Sequence, residues 1–86
     1  MPIISVFFGI AITMYWREHG PPHFHAKYGE FEALINIQTL EVMRGVLPRR
    51  ALALVLEWAV AHRAELLEDW RLCEAKAMPK PIQPLE

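Results

Sequence analysis

The chain has 86 residues, which is short for two domains, so we expect a single domain over residues 1–86. With 53% hydrophobic and 22% charged residues, its composition excludes an intrinsically disordered protein. The net charge of −1 and the pI of about 6.4 count against a nonspecific nucleic-acid binder, which is usually basic.

The apolar segment at residues 3–15 raises the question of a membrane or targeting sequence. It has no positively charged leader, and it is shorter than the roughly 20 residues that a membrane-spanning helix needs. The one cysteine, Cys73, excludes an internal disulfide and is typical of a reducing compartment. We therefore expect a cytoplasmic protein that does not enter a membrane.

The front of the chain, residues 3–46, is predicted to be rich in β-structure. Residues 3–8 and 10–16 contain many β-branched and aromatic side chains. Because a single residue, Gly9, is short for a hairpin loop, it is predicted to mark a bulge or bend within one long strand. Three further strands are predicted over residues 23–28, 31–37 and 40–44.

The back of the chain, residues 48–76, is predicted to be helical, because Pro48 suits a helix start and neither Gly nor Pro follows until Pro79. One unbroken helix would be about 40 Å long, so a bend near His62 is the alternative. The proline-punctuated residues 77–86 are predicted to be extended. The predicted fold class is α+β: a small antiparallel sheet of about four strands packed against one long or bent C-terminal helix.

Three histidines, His19, His23 and His25, lie around a Pro-Pro turn within seven residues. Positions 23 and 25 of a strand point to the same face, so their imidazoles can reach one small ligand. A structural interpretation has these rings bonded to backbone groups or packed on aromatic side chains. A second interpretation is an acid–base or anion-binding site of His23 and His25, supported by Lys27.

A third interpretation of the same residues is a metal site. His19, His23 and His25 would supply imidazole ligands, completed by Glu18 or Glu30. A divalent metal ion is the one candidate cofactor, and the sequence alone commits to none, because neither a CxxC nor an HExxH motif accompanies the histidines. All three interpretations stay open at this point.

Two further sets of residues are candidates for binding. His62 lies in the apolar stripe of the predicted helix, where its ring either bonds a backbone carbonyl or meets the strand face that carries the histidine pair. A candidate basic patch for phosphate, RNA backbone or an acidic partner consists of Arg44, Arg49 and Arg50, together with Lys27. The alternative is a set of solvated surface side chains.

Several segments together resemble a known family. They are residues 7–10 (Phe-Phe-Gly-Ile), 14–15 (Met-Tyr), 19–26 (His-Gly-Pro-Pro-His-Phe-His-Ala) and 65–70 (Glu-Leu-Leu-Glu-Asp-Trp). The chain is similar to the small bacterial and archaeal proteins known as domain of unknown function 4160. The family signature falls on His19, Pro21, Pro22, His23, His25, Leu66 and Trp70.

The resemblance implies a compact sheet-plus-helix fold and a partner protein encoded by an adjacent gene, as in toxin–antitoxin pairs. The leading hypothesis is a component of such a two-gene module with RNA-directed activity at His23 and His25, although whether the protein is an enzyme stays open. The alternatives are a metal-binding or metal-sensing module that uses His19, His23 and His25, and a non-catalytic protein-interaction domain. A homo-oligomer is compatible with each of these.

Overall fold

The computed structural model describes residues 2–86 of the chain. Five antiparallel strands form one sheet in which each strand pairs with the next along the chain. The strands are β1 (Ile3–Phe7), β2 (Ile10–Thr13), β3 (His23–Tyr28), β4 (Phe31–Asn36) and β5 (Val42–Val46). Two helices follow them, α1 (Arg49–Ala61) and α2 (Arg63–Glu74).

The prediction of about four strands is wrong, because the N-terminal segment forms a hairpin and not one long strand. β1 and β2 are joined by Phe8 and Gly9, which have positive φ angles of 49° and 78°. Two-residue loops with left-handed backbone at both positions match the twist of paired strands. Phe8 adopts this conformation although a bulky residue rarely does. The turn therefore lacked the second Gly or Asn that would have predicted it.

The prediction of one long or bent helix is also wrong, because the segment divides into two helices at His62. This residue has φ −125° and ψ 24°, outside helical geometry, and its N–H donates to Ala59 O at 3.1 Å. An unbroken helix over residues 49–74 would measure about 39 Å, whereas the longest dimension of the molecule is 33 Å.

Among residues 2–86, no helix combines the length and the apolar character that crossing a membrane requires.

Helix α1 covers one face of the sheet, and the other face carries a different set of residues. Phe7 and Phe24 pack against Trp58 of α1, with ring centroids 5.3 and 5.9 Å apart, so α1 covers the first face. Side chains alternate along a strand, so His25 and Lys27 of β3 lie on the second face. Cross-strand pairing adds the following residues to the second face: Glu32, Leu34, Arg44 and Val46.

The C-terminal segment runs back along the domain. Ile82 N–H donates to Ile4 O at 2.8 Å, beside the edge strand β1, and the Ile82 side chain is buried. Trp58 Nε1–H donates to Gln83 O at 2.8 Å. These bonds attach residues 77–86 to both the sheet and α1.

Candidate functional site

The loop between β2 and β3 brings Glu18 to the second face of the sheet. Arg17 has a φ of 66°, a left-handed conformation that residues with a long side chain seldom adopt. The C-terminal end of the loop is fixed where Pro22 O accepts a hydrogen bond from Ile37 N–H at 3.0 Å. The loop thus returns to β3 in a defined path, with Glu18 lying against the strand.

The two strand histidines converge on one carboxylate oxygen. His25 Nε2 lies 2.6 Å from Glu18 Oε1, and His23 Nε2 lies 3.0 Å from the same atom. The side chains of His23 and His25 are 4% and 10% exposed, whereas that of Glu18 is 29% exposed. The cluster is therefore reached from solvent on the side of Glu18.

The other nitrogen of each imidazole is held as well. His23 Nδ1 donates to Pro21 O at 3.0 Å, and His25 Nδ1 donates to Glu32 Oε2 at 2.9 Å. A carbonyl and an ionised carboxylate only accept hydrogen bonds, so each Nδ1 carries a proton. Both rings are thereby oriented with Nε2 directed at Glu18.

Two neutral imidazoles do not have enough protons to donate a hydrogen bond to Glu18 as well. A neutral imidazole that has its proton on Nδ1 has no N–H left for Glu18. The two contacts between Nε2 and Glu18 Oε1 therefore require either two more protons or one divalent cation in their place. Each alternative supplies two positive charges beside the two carboxylates, Glu18 and Glu32.

Electrostatics favour the ionised form of Glu18. Burial raises the pKa of Glu18, but the hydrogen bonds and charges of His25 and His23 together outweigh burial, so the pKa lies below its ordinary value of 4.5. A carboxylate must be deprotonated to bind a metal ion. Glu18 is therefore in the form that a cation needs.

Aromatic rings fix the positions of both imidazoles. The Tyr15 ring meets the His25 ring edge-on with centroids 4.6 Å apart, and the Trp70 ring lies 5.1 Å from the ring of His23. Packing of this kind restricts the rotamers of groups that are also held by hydrogen bonds. The cluster is consequently preorganised by β3, the preceding loop and α2.

The geometry suits a cation with three protein ligands. Glu18, His23 and His25 each offer one ligand atom, and these atoms all lie within 4.8 Å of one another. Zinc bonds of roughly 2.0–2.1 Å place neighbouring ligands about 3.3 Å apart in a tetrahedron. Both Nε2 atoms lie closer to Glu18 Oε1 than this ligand separation, so Glu18 would move slightly outward to admit an ion. Pro21 O and Glu32 would then orient the imidazoles from behind, as partners of metal-bound histidines usually do.

The structure separates the candidate metal ligands that the sequence suggested. His23, His25 and Glu18 come together, whereas His19 is exposed and lies outside the group of ligand atoms. Glu30 is exposed in the turn between β3 and β4. Lys27, the predicted electrostatic support, is exposed on the second face.

The candidate binding residues lie on different elements. Arg44 is on β5, across Leu34 from His25, and Arg49 and Arg50 begin α1. His62 donates from Nδ1 to Glu65 Oε1 at 2.5 Å, and its ring packs against that of Trp58 with centroids 5.5 Å apart. His62 therefore belongs to the junction of the two helices and not to the histidine cluster.

Glu32 is the site residue that sequence reasoning missed. A two-residue turn at Gly29 and Glu30 pairs Lys27 with Glu32 across β3 and β4. That register places Glu32 diagonally next to His25 on the same face of the sheet. The signal was present in the predicted hairpin, but the proximity of Glu30 in sequence drew attention to the wrong carboxylate.

A five-stranded antiparallel sheet with two helices, bearing a buried pair of histidines that shares one carboxylate, defines a small α+β domain. The sequence profile of the family described as Domain of unknown function (DUF4160) matches residues 9–71. The chain belongs to this family, and the match includes every residue of the histidine cluster. No curated protein and no solved structure matches the chain.

Proposed function

We propose that this protein binds a divalent transition-metal ion, such as Zn²⁺, through Glu18, His23 and His25. The observation that carries the proposal is the convergence of two Nε2 atoms on Glu18 Oε1 while both Nδ1 atoms are held by acceptors. Two imidazoles and one carboxylate form a common ligand set for such ions. A site with three protein ligands also leaves a coordination position for water or substrate.

The proposal is tested with protein that is purified without a histidine tag and stripped with a chelator. We expect calorimetric titration with Zn²⁺ to give one ion per chain, confirmed by elemental analysis after dialysis. His25→Gln removes a ligand and should abolish this binding. Glu18→Gln, at a partly exposed loop position, provides a second ligand variant that is less disruptive to folding.

His19→Gln is the matched control, because His19 lies on the same loop but outside the cluster. It should bind Zn²⁺ as the unchanged protein does. Equal zinc binding by the unchanged protein and by Glu18→Gln, or no stoichiometric binding at all, would contradict the proposal.

A second candidate is RNA-directed activity within a toxin–antitoxin-like two-gene module. It is supported by the family's habit of adjacent partner genes and by basic side chains, Arg17 and Lys76, near the histidine cluster. Here His23 and His25 would exchange protons with the substrate, and the neighbouring gene product would be the partner. We expect growth arrest and RNA cleavage on overexpression, both lost in the double variant His23→Ala/His25→Ala. Unchanged arrest and cleavage in that variant would exclude catalysis by the pair.

A further inference from the structure

A polar cleft opens on the solvent side of Glu18. It is lined by side chains of both charges: Arg17, Glu18, His19, Glu74 and Lys76. We refer to it as the Arg17–Lys76 cleft. A narrower pocket adjoins it, and Tyr15, Trp70 and Cys73 form part of its wall. Because Glu18 lies between the cleft and the two imidazoles, a ligand in the cleft is adjacent to the proposed cation.

Arg17 and Lys76 both have backbone conformations that favour glycine. Arg17 has a φ of 66° and Lys76 a φ of 61°. Lys76 follows the end of α2, where Ala77 N–H donates to Leu72 O at 2.8 Å, and helices often carry Gly at this position. Glycine would adopt both conformations at lower cost. Residues held in such conformations cluster at functional sites, and here two long cationic side chains line the same cleft.

Neither Arg17 nor Lys76 is held in an ion pair by the described part of the fold. Within residues 2–86, Arg17 and Lys76 form no ion pair, whereas Lys80 pairs with Glu68 at 3.4 Å. Both residues are exposed, so their charged groups are free to bind a ligand from solvent. Two carboxylates, Glu18 and Glu74, also line the cleft, and Glu18 is already bonded to the two imidazoles.

We propose that the Arg17–Lys76 cleft binds a phosphate group beside the metal ion, and this inference rests on the proposed function. The planar guanidinium of Arg17 matches the geometry of phosphate oxygens, and Lys76 adds a point charge. The ion bound by Glu18, His23 and His25 supplies the remaining positive charge and an open coordination position. The site thus has the charged groups to bind a phosphate oxyanion, whether free or part of a nucleotide chain.

This arrangement makes the binding of metal and of phosphate cooperative. Without the ion, an incoming phosphate contacts only the side chains of the cleft. With the ion, a phosphate oxygen can also occupy the open coordination position, so phosphate affinity rises. By linkage, phosphate must raise zinc affinity by the same factor.

The test uses inorganic phosphate and the full chain loaded with one equivalent of Zn²⁺ and no excess metal. We expect saturable phosphate binding in calorimetry that is weaker by about tenfold or more in the metal-free protein. Arg17→Gln and Lys76→Gly should each lower phosphate affinity by about tenfold, while zinc affinity without phosphate stays unchanged. Lys76→Gly retains the backbone conformation, and Lys80→Gln is the control that should not alter phosphate binding.

The source of the phosphate is distinguished by two short oligoribonucleotides, one with a 5′-phosphate and one with a 5′-hydroxyl. Binding of the 5′-phosphorylated oligomer alone indicates a terminal phosphate, and binding of both indicates the backbone. Loss of either response in Arg17→Gln supports the cleft as the site. Zinc binding without phosphate or oligomer binding overturns the phosphate inference alone, whereas failure of zinc to bind overturns the metal site and the inference together.

Discussion

At the scale of single residues, Glu18 connects the loop to β3 through one oxygen atom. That oxygen faces both imidazoles, so the ionised carboxylate holds together two rings whose protonated forms would otherwise repel each other. His23 and His25 are positioned by their opposite nitrogens, which Pro21 O and Glu32 accept. The chemistry of the site therefore depends as much on the atoms behind the imidazoles as on the three ligand atoms.

Glu32→Gln tests the role of the group behind His25. A neutral amide accepts a weaker hydrogen bond than a carboxylate, so the imidazole becomes less basic and less well oriented. We expect the zinc dissociation constant to rise by about 10- to 100-fold, measured by competition with a chromogenic chelator. Glu30→Gln, two residues earlier in an exposed turn, is the control. Equal affinities of the two variants would show that Glu32 does not act on the site.

The lowered pKa of Glu18 predicts how the metal-free protein responds to acid. A carboxyl whose folded pKa is below its unfolded value stabilises the fold fully above that unfolded value, about 4.5 here. This stabilisation is lost as the pH falls through the lower, folded pKa.

Urea unfolding of the unchanged protein and of Glu18→Gln between pH 6 and about pH 3 measures this contribution. The difference in unfolding free energy should shrink as the pH falls below the unfolded pKa. A difference that stays constant or grows on acidification would mean that His23 and His25 do not stabilise the ionised form of Glu18.

At the scale of elements, β5 approaches β4 so closely that only glycine fits at one point. A Cβ atom on Gly45 would clash with Glu32 O, and Gly45 has a φ of 82°. Gly29 also has a positive φ, 58°, but a Cβ there would meet open space. Substitution of Gly29 and of Gly45 therefore separates the free-energy cost of the backbone conformation from that of a steric clash.

We expect Gly29→Ala to lower the unfolding free energy by about 1 kcal/mol. Gly45→Ala should cost clearly more, because β4 must shift away from β5. Since that shift moves Glu32, Gly45→Ala should also weaken zinc binding, whereas Gly29→Ala should not. Urea denaturation and zinc titration of both variants provide the measurement, and similar losses of stability would refute the close approach.

The sequence predicted some elements well because their signals are local. The alternation of residues 23–28 and the Gly-containing turn after them define β3, which the structure gives as His23–Tyr28. The first hairpin was missed because Phe8 takes a left-handed conformation without a glycine or asparagine to indicate it. The length of an unbroken helix indicated a bend near His62 as an alternative, but the division into two helices was not predicted because no breaker residue is present.

The candidate site could be predicted only where its signals are local in the sequence. His23 and His25 share a face by strand periodicity alone. The choice of Glu18 over His19 depends on the path of the loop, and the choice of Glu32 over Glu30 depends on the register of β3 and β4. The contact of Trp70 with His23 requires the packing of α2, which no local pattern specifies.

At the scale of the whole molecule, the C-terminal segment joins α2 to the sheet through a buried carboxylate. Asp69 Oδ1 accepts a hydrogen bond from Lys80 N–H at 2.8 Å, and its side chain is buried. Burial raises the pKa of Asp69, partly opposed by this hydrogen bond. The carboxylate therefore stabilises the segment by one backbone hydrogen bond at the expense of an unfavourable buried charge.

Asp69→Ala leaves the N–H of Lys80 without its acceptor, and we expect it to cost about 1–3 kcal/mol of stability. Asp69→Asn keeps a carbonyl oxygen for that N–H and removes the charge, so it should cost less. Thermal unfolding followed by circular dichroism compares the two. An Asn variant as unstable as the Ala variant would show that the charge itself, and not the hydrogen bond, holds the segment.

The most direct test of the metal site is a long-range proton–nitrogen NMR spectrum of the imidazole rings. One equivalent of Zn²⁺ is added to uniformly ¹⁵N-labelled, tag-free protein, and the nitrogens of all four histidines are followed. We predict that Nε2 of His23 and His25 shifts to metal-bound values while their Nδ1 atoms stay protonated, with His19 and His62 unchanged. Zinc shifts at His19 or His62, or at Nδ1 of the paired histidines, would contradict a cation held by Glu18, His23 and His25.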